Sequence, residues 1–472
     1  MMWKLFSILL VIASLTGCTL APKYKRPEAP VPSSWPSGPA YKEPMPAVPK
    51  AEELNWEEFF TDGRLREVIR MALENNRDLR VAALNVEMSR AYYGIQRAEL
   101  LPTLDVVARG SKERIPADLS ETRERMTRER YSVDLGILSW EIDFFGRIRS
   151  LKEKALEEYL ATEEARRSAE LALLSAVANT YLTLAADREI LKLSQSTLET
   201  QEAVYRLIKL RYEVGLASEL DLRRAQTQVE VARGDVARYT KLVAQGENAL
   251  NLLVGFQVPK DLLPLELSHV SPPKEVSPGI TSDVLLNRPD ILAAEHQLKA
   301  VHANIGAARA AFFPRISLTT TLGTASRELS GLFKAGSGTR SFVPQIITPI
   351  FDARTWLALK AVKIQREIAV AQYEKAIQTA FREVADVLAQ QGTIKDQIIA
   401  QESLIQALKV TYRLSYLRYT KGIDSYLSVL DAQRSLYTAE QGLIALRLAE
   451  IANQITLYKV LGGGQRATGQ SF

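Results

Sequence analysis

The chain has 472 residues, 46% hydrophobic and 24% charged, which excludes wholesale disorder and leaves room for roughly two to four ordinary domains. Sixty basic against 55 acidic residues give a net charge of +5, too even and too scattered for a nucleic-acid footprint. One cysteine, Cys18, excludes an intramolecular disulfide framework.

Residues 1–17 read as a secretory signal peptide: Lys4 precedes the apolar run Leu5–Ala13, and small residues lead into Leu15-Thr16-Gly17-Cys18. That ending resembles a bacterial lipobox, with Cys18 as the acylated N-terminus. Residue 19 is Thr rather than the Asp that resembles an inner-membrane retention signal, which favours the outer membrane. No later segment has the roughly 18 apolar residues of a membrane helix, so a membrane crossing requires strands closed into a barrel.

Residues 18–61 are Pro-rich and read as an extended tether without a core of its own. Helical patterning runs from about 62 to 100, where Pro102 stops it. No proline lies between Pro116 and Pro259, or after Pro349. These two stretches, rich in Ala, Leu, Glu, Arg and Gln, predict long helices over 146–213 and 353–420, each followed by a shorter one, 218–255 and 424–461. Two strand-like pairs, within 103–143 and 315–351, alternate apolar and polar residues, as in Tyr131, Val133, Leu135 and Ile137. Membrane barrel strands and soluble hairpins share that pattern. Residues 257–281 form a connector and 462–472 a C-terminal tail.

The chain repeats itself. Residues 211–226 read RYEVGLASELDLRRAQ, and 207 residues later 418–433 read RYTKGIDSYLSVLDAQ. At the same offset Phe144 and Arg147 map onto Phe351 and Arg354. Upstream, Asn76-Arg77 matches Asn287-Arg288 with a small slip. The halves are therefore 62–256 and 282–461. Each long helix, at 1.5 Å per residue, spans roughly 100 Å, about twice its shorter neighbours. Such lengths suit an arm with strands at one end, turns at Gly215 and Gly422 at the other, and a girdle at mid-arm. Four strands cannot close a pore, whereas those of a trimer number twelve.

Together, the Cys18 lipobox, Tyr24-Lys25-Arg26-Pro27, Asp143-Phe144-Phe145-Gly146-Arg147, Asn287-Arg288-Pro289-Asp290 and Leu430-Asp431-Ala432-Gln433 resemble the outer-membrane efflux proteins of the TolC family, most closely the OprM-like (NodT-type) lipoproteins. The resemblance spans nearly the whole mature chain. It implies a mainly α fold with membrane β: a homotrimer with a twelve-stranded β-barrel in the outer membrane, a periplasmic α-helical barrel and an equatorial domain. It also implies a passive exit duct for small molecules, docked at its tips by a periplasmic adaptor and an inner-membrane RND transporter. A type I protein-secretion duct of the same fold and a periplasmic coiled-coil scaffold are the alternatives.

No catalytic constellation or cofactor motif is visible, and His269, His296 and His302 lack metal-ligand spacing. The only group expected to be attached is the lipid on Cys18. The tip turns, Gly215-Leu216-Ala217-Ser218 and Gly422-Ile423-Asp424-Ser425, are the expected adaptor-docking surface. The returning second helix is expected to carry Asp424, Leu427 and Asp431 on one stripe, with Tyr426, Leu430 and Tyr437 on the packing side. By resemblance, Leu427 forms an apolar constriction and Asp431 a ring of carboxylates. Asp221 and Tyr419 align with residues that latch closed tips in TolC. The latching arginine of that family falls on Asp424, so an arginine latch is not expected here.

Overall fold

The computed structural model describes residues 19–42, 48–279 and 281–464. The signal peptide, Cys18 and the last eight residues lie outside them. In chain order the main elements are α1 (Gly63–Asn75), α2 (Arg77–Ala98), β1 (Asp105–Ile115), β2 (Met126–Ile142), α3 (Arg147–Glu213), α4 (Glu219–Val254), α5 (Pro289–Ala310), β3 (Arg315–Ser326), β4 (Gly338–Ile347), α6 (Ala353–Thr420) and α7 (Tyr426–Val460).

Two boundaries differ from the sequence reading. The helix expected over 62–100 is interrupted at Asn76, whose extended backbone ends α1. The Asn76 side chain accepts from the Leu79 amide at 2.8 Å and donates to the Leu253 carbonyl at 2.8 Å, so it caps the next helix and ties the break to α4. The second returning helix begins at Tyr426, not 424: Ser425 is its extended N-cap residue, which leaves Asp424 in the turn.

The chain divides into two compact units that cut across the sequence repeat. One comprises the residues to Glu28, Asn85–Glu163 and Ala293–Glu374; the other comprises Ala29–Leu84, Glu164–Leu292 and Lys375 onward. Each unit draws on both halves of the repeat.

In the first unit the strands form one antiparallel sheet in the order β1-β2-β3-β4, with a bulge between Ile137 and Trp140. The register sets Val106, Leu135 and Leu322 in one row. Phe342 lies opposite Thr320, on the same face by the two-residue alternation. These apolar side chains are exposed, Val106 by 68% and Phe342 by 70%, so the described residues leave them uncovered. β1 and β4 each keep one unpaired edge within the chain. Asp143 launches α3 by accepting the Ile148 and Arg149 amides. This explains the Asp143–Arg147 motif as a strand-to-helix junction.

In the second unit Phe59 stacks on Tyr458 at 4.1 Å between ring centroids, and Tyr458 donates to the Leu54 carbonyl at 3.0 Å. α3 contributes Val177, Ala178, Tyr181, Leu182, Leu184 and Ala185, all buried. By length and hydropathy α3 could cross a membrane, which the sequence reading did not credit to any segment after the leader. More than half of its most apolar window is buried, as befits a core helix. Residues 33–42 have no helix, yet they are docked rather than loose. Ser34 bridges to Thr281, Trp35 stacks on Phe381 at 5.4 Å, and Gly38 accepts the Tyr41 amide.

Candidate functional site

The two turns at the ends of α3 and α6 have the same geometry. Gly215 and Gly422 have φ of +75° and +72°, the left-handed region open to glycine. At the first turn the Gly215 amide donates to Tyr212 at 2.9 Å and the Leu216 amide to Arg211 at 2.7 Å. At the second, Gly422 donates to Tyr419 and Ile423 to Arg418, both at 2.9 Å. Each turn is thus a Schellman cap that closes the last carbonyls of a helix longer than 60 residues.

Between the turns lies a small core of Ile208, Leu222, Ala225, Tyr426, Val429 and Leu430. Val204, Tyr205, Ala217, Tyr412, Tyr416 and Tyr419 pack around it. Tyr426 is 1% exposed and Leu430 7%, the packing side expected for them. Tyr437, farther along, is half-buried and shares a 2.8 Å hydroxyl contact with Ser194; burial pushes its phenol pKa up to about 12. Burial also raises the Tyr426 phenol pKa, and its hydroxyl has no hydrogen-bond partner among the described residues.

Leu427 and Asp431 point away from this core. Leu427 is 42% exposed, and the exposed Asp431 carboxylate accepts from Arg434 at 3.1 Å. Four residues apart on α7, they share one stripe, as expected. Asp424 does not join them. It sits before the helix and accepts from Arg418 at 2.5 and 3.4 Å. That hydrogen bond holds the Asp424 carboxyl below its ordinary pKa. An arginine catch thus exists inside the second turn, with its arginine at Arg418 and its carboxylate at Asp424, the position where the latching arginine of the family falls.

The first turn is built differently at the matching positions. The counterpart of Asp424 is Ala217, so Arg211, the counterpart of Arg418, has no such carboxylate beside it. Its guanidinium lies 5.3 Å from the centre of the Tyr419 ring, a cation–π contact that ties the two turns together. Tyr419 also packs on Tyr426 at 5.2 Å. Asp221 accepts the Ser218 hydroxyl at 2.7 Å, while Ser218 accepts the Asp221 amide at 3.1 Å and so caps α4. Asp221 therefore has a local partner in Ser218, and the contact it was expected to make with Tyr419 is not among those of the described residues. The counterpart of Asp431 is Arg224, so the repeat reverses charge along the stripe.

Sequence reasoning missed the catch and the Arg211–Tyr419 bridge. The signal was available: Arg211 and Arg418 repeat, while Ala217 and Asp424 do not. Among the described residues no group of three or more His, Asp or Glu side chains could hold a metal ion. His296 shares a 2.6 Å contact with Glu157, and His302 faces the Pro22 carbonyl.

A family model described as outer membrane efflux protein matches residues 68–256 and 280–463. The chain belongs to the outer membrane efflux protein family. It is 50% identical over 471 residues to the probable efflux pump outer membrane protein TtgC of Pseudomonas putida, across 99% of this chain and 97% of that one. It is 42% identical to the outer membrane protein OprJ of Pseudomonas aeruginosa, covering 97% and 95% of the two chains. The open-state crystal structure of the Neisseria gonorrhoeae MtrE outer membrane channel matches with a TM-score of 0.85 and 37% identity, over 96% of this chain and all of that one. A crystal structure of CusC matches with a TM-score of 0.82 and 39% identity, over 95% of this chain and 100% of that one.

Family membership decides between the two readings of the alternating strands. They are the outer-membrane part of a TolC-like efflux channel, not soluble hairpins of a scaffold. The exposed apolar face of the sheet is then the face that lipid covers.

Proposed function

We propose that three copies of this chain close a twelve-stranded barrel and form the passive exit duct of a tripartite RND-type pump. The duct is closed at its tips by Leu427 and Asp431. The observation that carries this reading is the division of labour on α7. Tyr426, Val429 and Leu430 fill the tip core, which leaves an apolar and an acidic residue on a stripe that the chain does not cover. Around a threefold axis such a stripe forms an apolar constriction with a carboxylate ring one turn behind it. An apolar constriction gates by dewetting, and acidic rings favour cations. Two unpaired sheet edges and four strands per chain favour a closed oligomer.

The tip turns 215–218 and 422–425 offer the adaptor its docking surface, with Leu216 and Ile423 exposed. The exported compounds are small and apolar or amphiphilic, as the names of relatives for toluene and antibiotic pumps suggest. Cys18 is acylated and anchors the chain in the outer membrane. No cofactor takes part, and the duct performs no catalysis.

Cross-linked pull-down from intact cells tests the assembly. It is expected to recover an adaptor and an inner-membrane transporter, and deletion of the gene is expected to sensitise cells to solvents and antibiotics. Recovery of a secretion ATPase with an unchanged solvent tolerance would replace this reading with protein secretion.

A further inference from the structure

The segment that follows Cys18 is poor in apolar residues: residues 19–28 read TLAPKYKRPE. Hydrophobic burial cannot hold such a segment, and Pro22 and Pro27 keep it extended. It is nevertheless fastened along one stripe of α5. Arg309 donates to the Leu20 carbonyl at 3.1 Å, and a His302 ring nitrogen contacts the Pro22 carbonyl at 3.1 Å. Tyr24 meets His302 edge-on at 5.6 Å and donates to Glu295 at 3.1 Å. Arg26 forks onto both Glu295 oxygens at 3.0 and 2.5 Å.

Gly306 makes room between these contacts. A Cβ there would stand 2.8 Å from Ala21 and 2.5 Å from the Ser150 hydroxyl. The contacted positions 295, 299, 302, 306 and 309 recur every three or four residues, which is a single helix face.

The clasp of this strap is a buried charge. The Glu295 side chain is 3% exposed and is satisfied by Arg26, Tyr24 and Lys299. Burial works against its charge, but these partners outweigh burial and lower its pKa. Burying a carboxylate where a polar strap must satisfy it favours one register over others.

The lengths of strap and helix agree. From residue 20 to 26 an extended chain rises about 20 Å at ~3.3 Å per residue. From Glu295 to Arg309 a helix rises about 21 Å at 1.5 Å per residue. The strap is therefore taut and runs antiparallel to α5. Its first described residue, Thr19, reaches the end of the helix that adjoins β3.

We propose that residues 19–28 are a ruler that fixes the acylated N-terminus at the foot of the sheet, with Glu295 as its clasp. The proposal rests on the acylation of Cys18. The strap sets how far the lipid attachment stands from the membrane strands, so that lipid and barrel enter the same leaflet together. Without the clasp, the lipid would hang on a slack tether.

Two measurements on the full-length chain test this. The first is tryptic release of the N-terminal lipopeptide, by cleavage after Lys23 or Lys25, both exposed. Arg26→Ala leaves α5 intact and is expected to speed cleavage at least tenfold, as is Glu295→Ala, with Tyr24→Phe between them and the native chain. The exchange Arg26→Glu with Glu295→Arg is expected to recover most of the protection. Equal cleavage rates in all variants would overturn the clasp.

The second measurement moves the slack. Four residues, Gly-Ser-Gly-Ser, inserted between Thr19 and Leu20 are expected to cut the heat-modifiable, barrel-folded fraction at least threefold. The same insertion between Glu28 and Ala29, beyond the clasp, is expected to leave it unchanged. Equal effects at both sites would overturn the ruler. Metabolic palmitate labelling reports separately on acylation. Loss of label with clasp protection intact would remove the lipid from the account and with it the ruler, while leaving the strap docked.

Discussion

Arg288→Met tests how the second half of the repeat is fastened at mid-chain. The Arg288 side chain is 9% exposed. It forks onto Asp290 at 3.0 and 2.7 Å, reaches Glu383 at 2.9 Å, and donates to the Val460 carbonyl at 2.8 Å. Methionine preserves much of the stem volume and removes every donor. Asp290 and Glu383 are 42% and 36% exposed, so water takes over, and each lost pair costs only ~0.2–1 kcal/mol. The buried Val460 carbonyl has no such relief, and orphaning it costs about 1–3 kcal/mol. The sum is roughly 1.4–5 kcal/mol, which corresponds to roughly a 10- to 5,000-fold loss of amide protection where opening is local. Hydrogen exchange read by mass spectrometry over 285–292 and 456–464 is the assay. Arg288→Lys keeps the charge but not the fork and should fall between. A loss under about threefold in the Met variant would refute the claim that this arginine holds the end of α7 to the start of α5.

Tyr426→Phe removes a buried hydroxyl without a partner and should stabilise the tip by about 1 kcal/mol, read as roughly fivefold slower exchange over 426–432. Faster exchange would mean that the hydroxyl is satisfied in the assembled channel. Gly215→Ala and Gly422→Ala should each cost about 1 kcal/mol of tip stability, all of it backbone strain, because nothing stands within 4 Å of the added carbon. Asparagine at either position should cost less; equal costs for both residues would contradict the left-handed turn. The Arg418–Asp424 catch has a depressed carboxylate pKa, so its contribution is present above the ordinary aspartate value of 3.8 and is lost as pH falls through the lowered one. Amide protection of the 418–425 turn should therefore fall only in acid below that value. Asp424→Asn should exchange faster at neutral pH and should lack the acid step; an unchanged acid step would assign it elsewhere.

Much of this was legible in the sequence because it rests on local rules. The repeat placed both turns, and glycine at 215 and 422 marked where the backbone must turn left-handed. The apolar spacing after Ser425 put Tyr426 and Leu430 inside. What escaped was decided by contacts distant in sequence or by competition within a few residues. Asn76 breaks a helical pattern because it reaches the Leu253 carbonyl, 177 residues away. Asp424 leaves its stripe because Arg418 captures it before the helix begins. The strap on α5 has no periodicity to betray it: its bonds join residues 269 to 289 positions apart, and its partners sit on a helix whose pattern reads as ordinary core and surface.

The central claim is a duct held shut at its tips by the Leu427–Asp431 stripe. Single-channel recording in planar bilayers tests it most directly, comparing the native chain with the Leu427→Ala, Asp431→Ala double variant. The account predicts a larger unitary conductance and weaker cation preference in the variant, with the barrel equally folded by heat-modifiable migration. Unchanged conductance and selectivity in a folded variant would contradict it and move the constriction elsewhere along the duct.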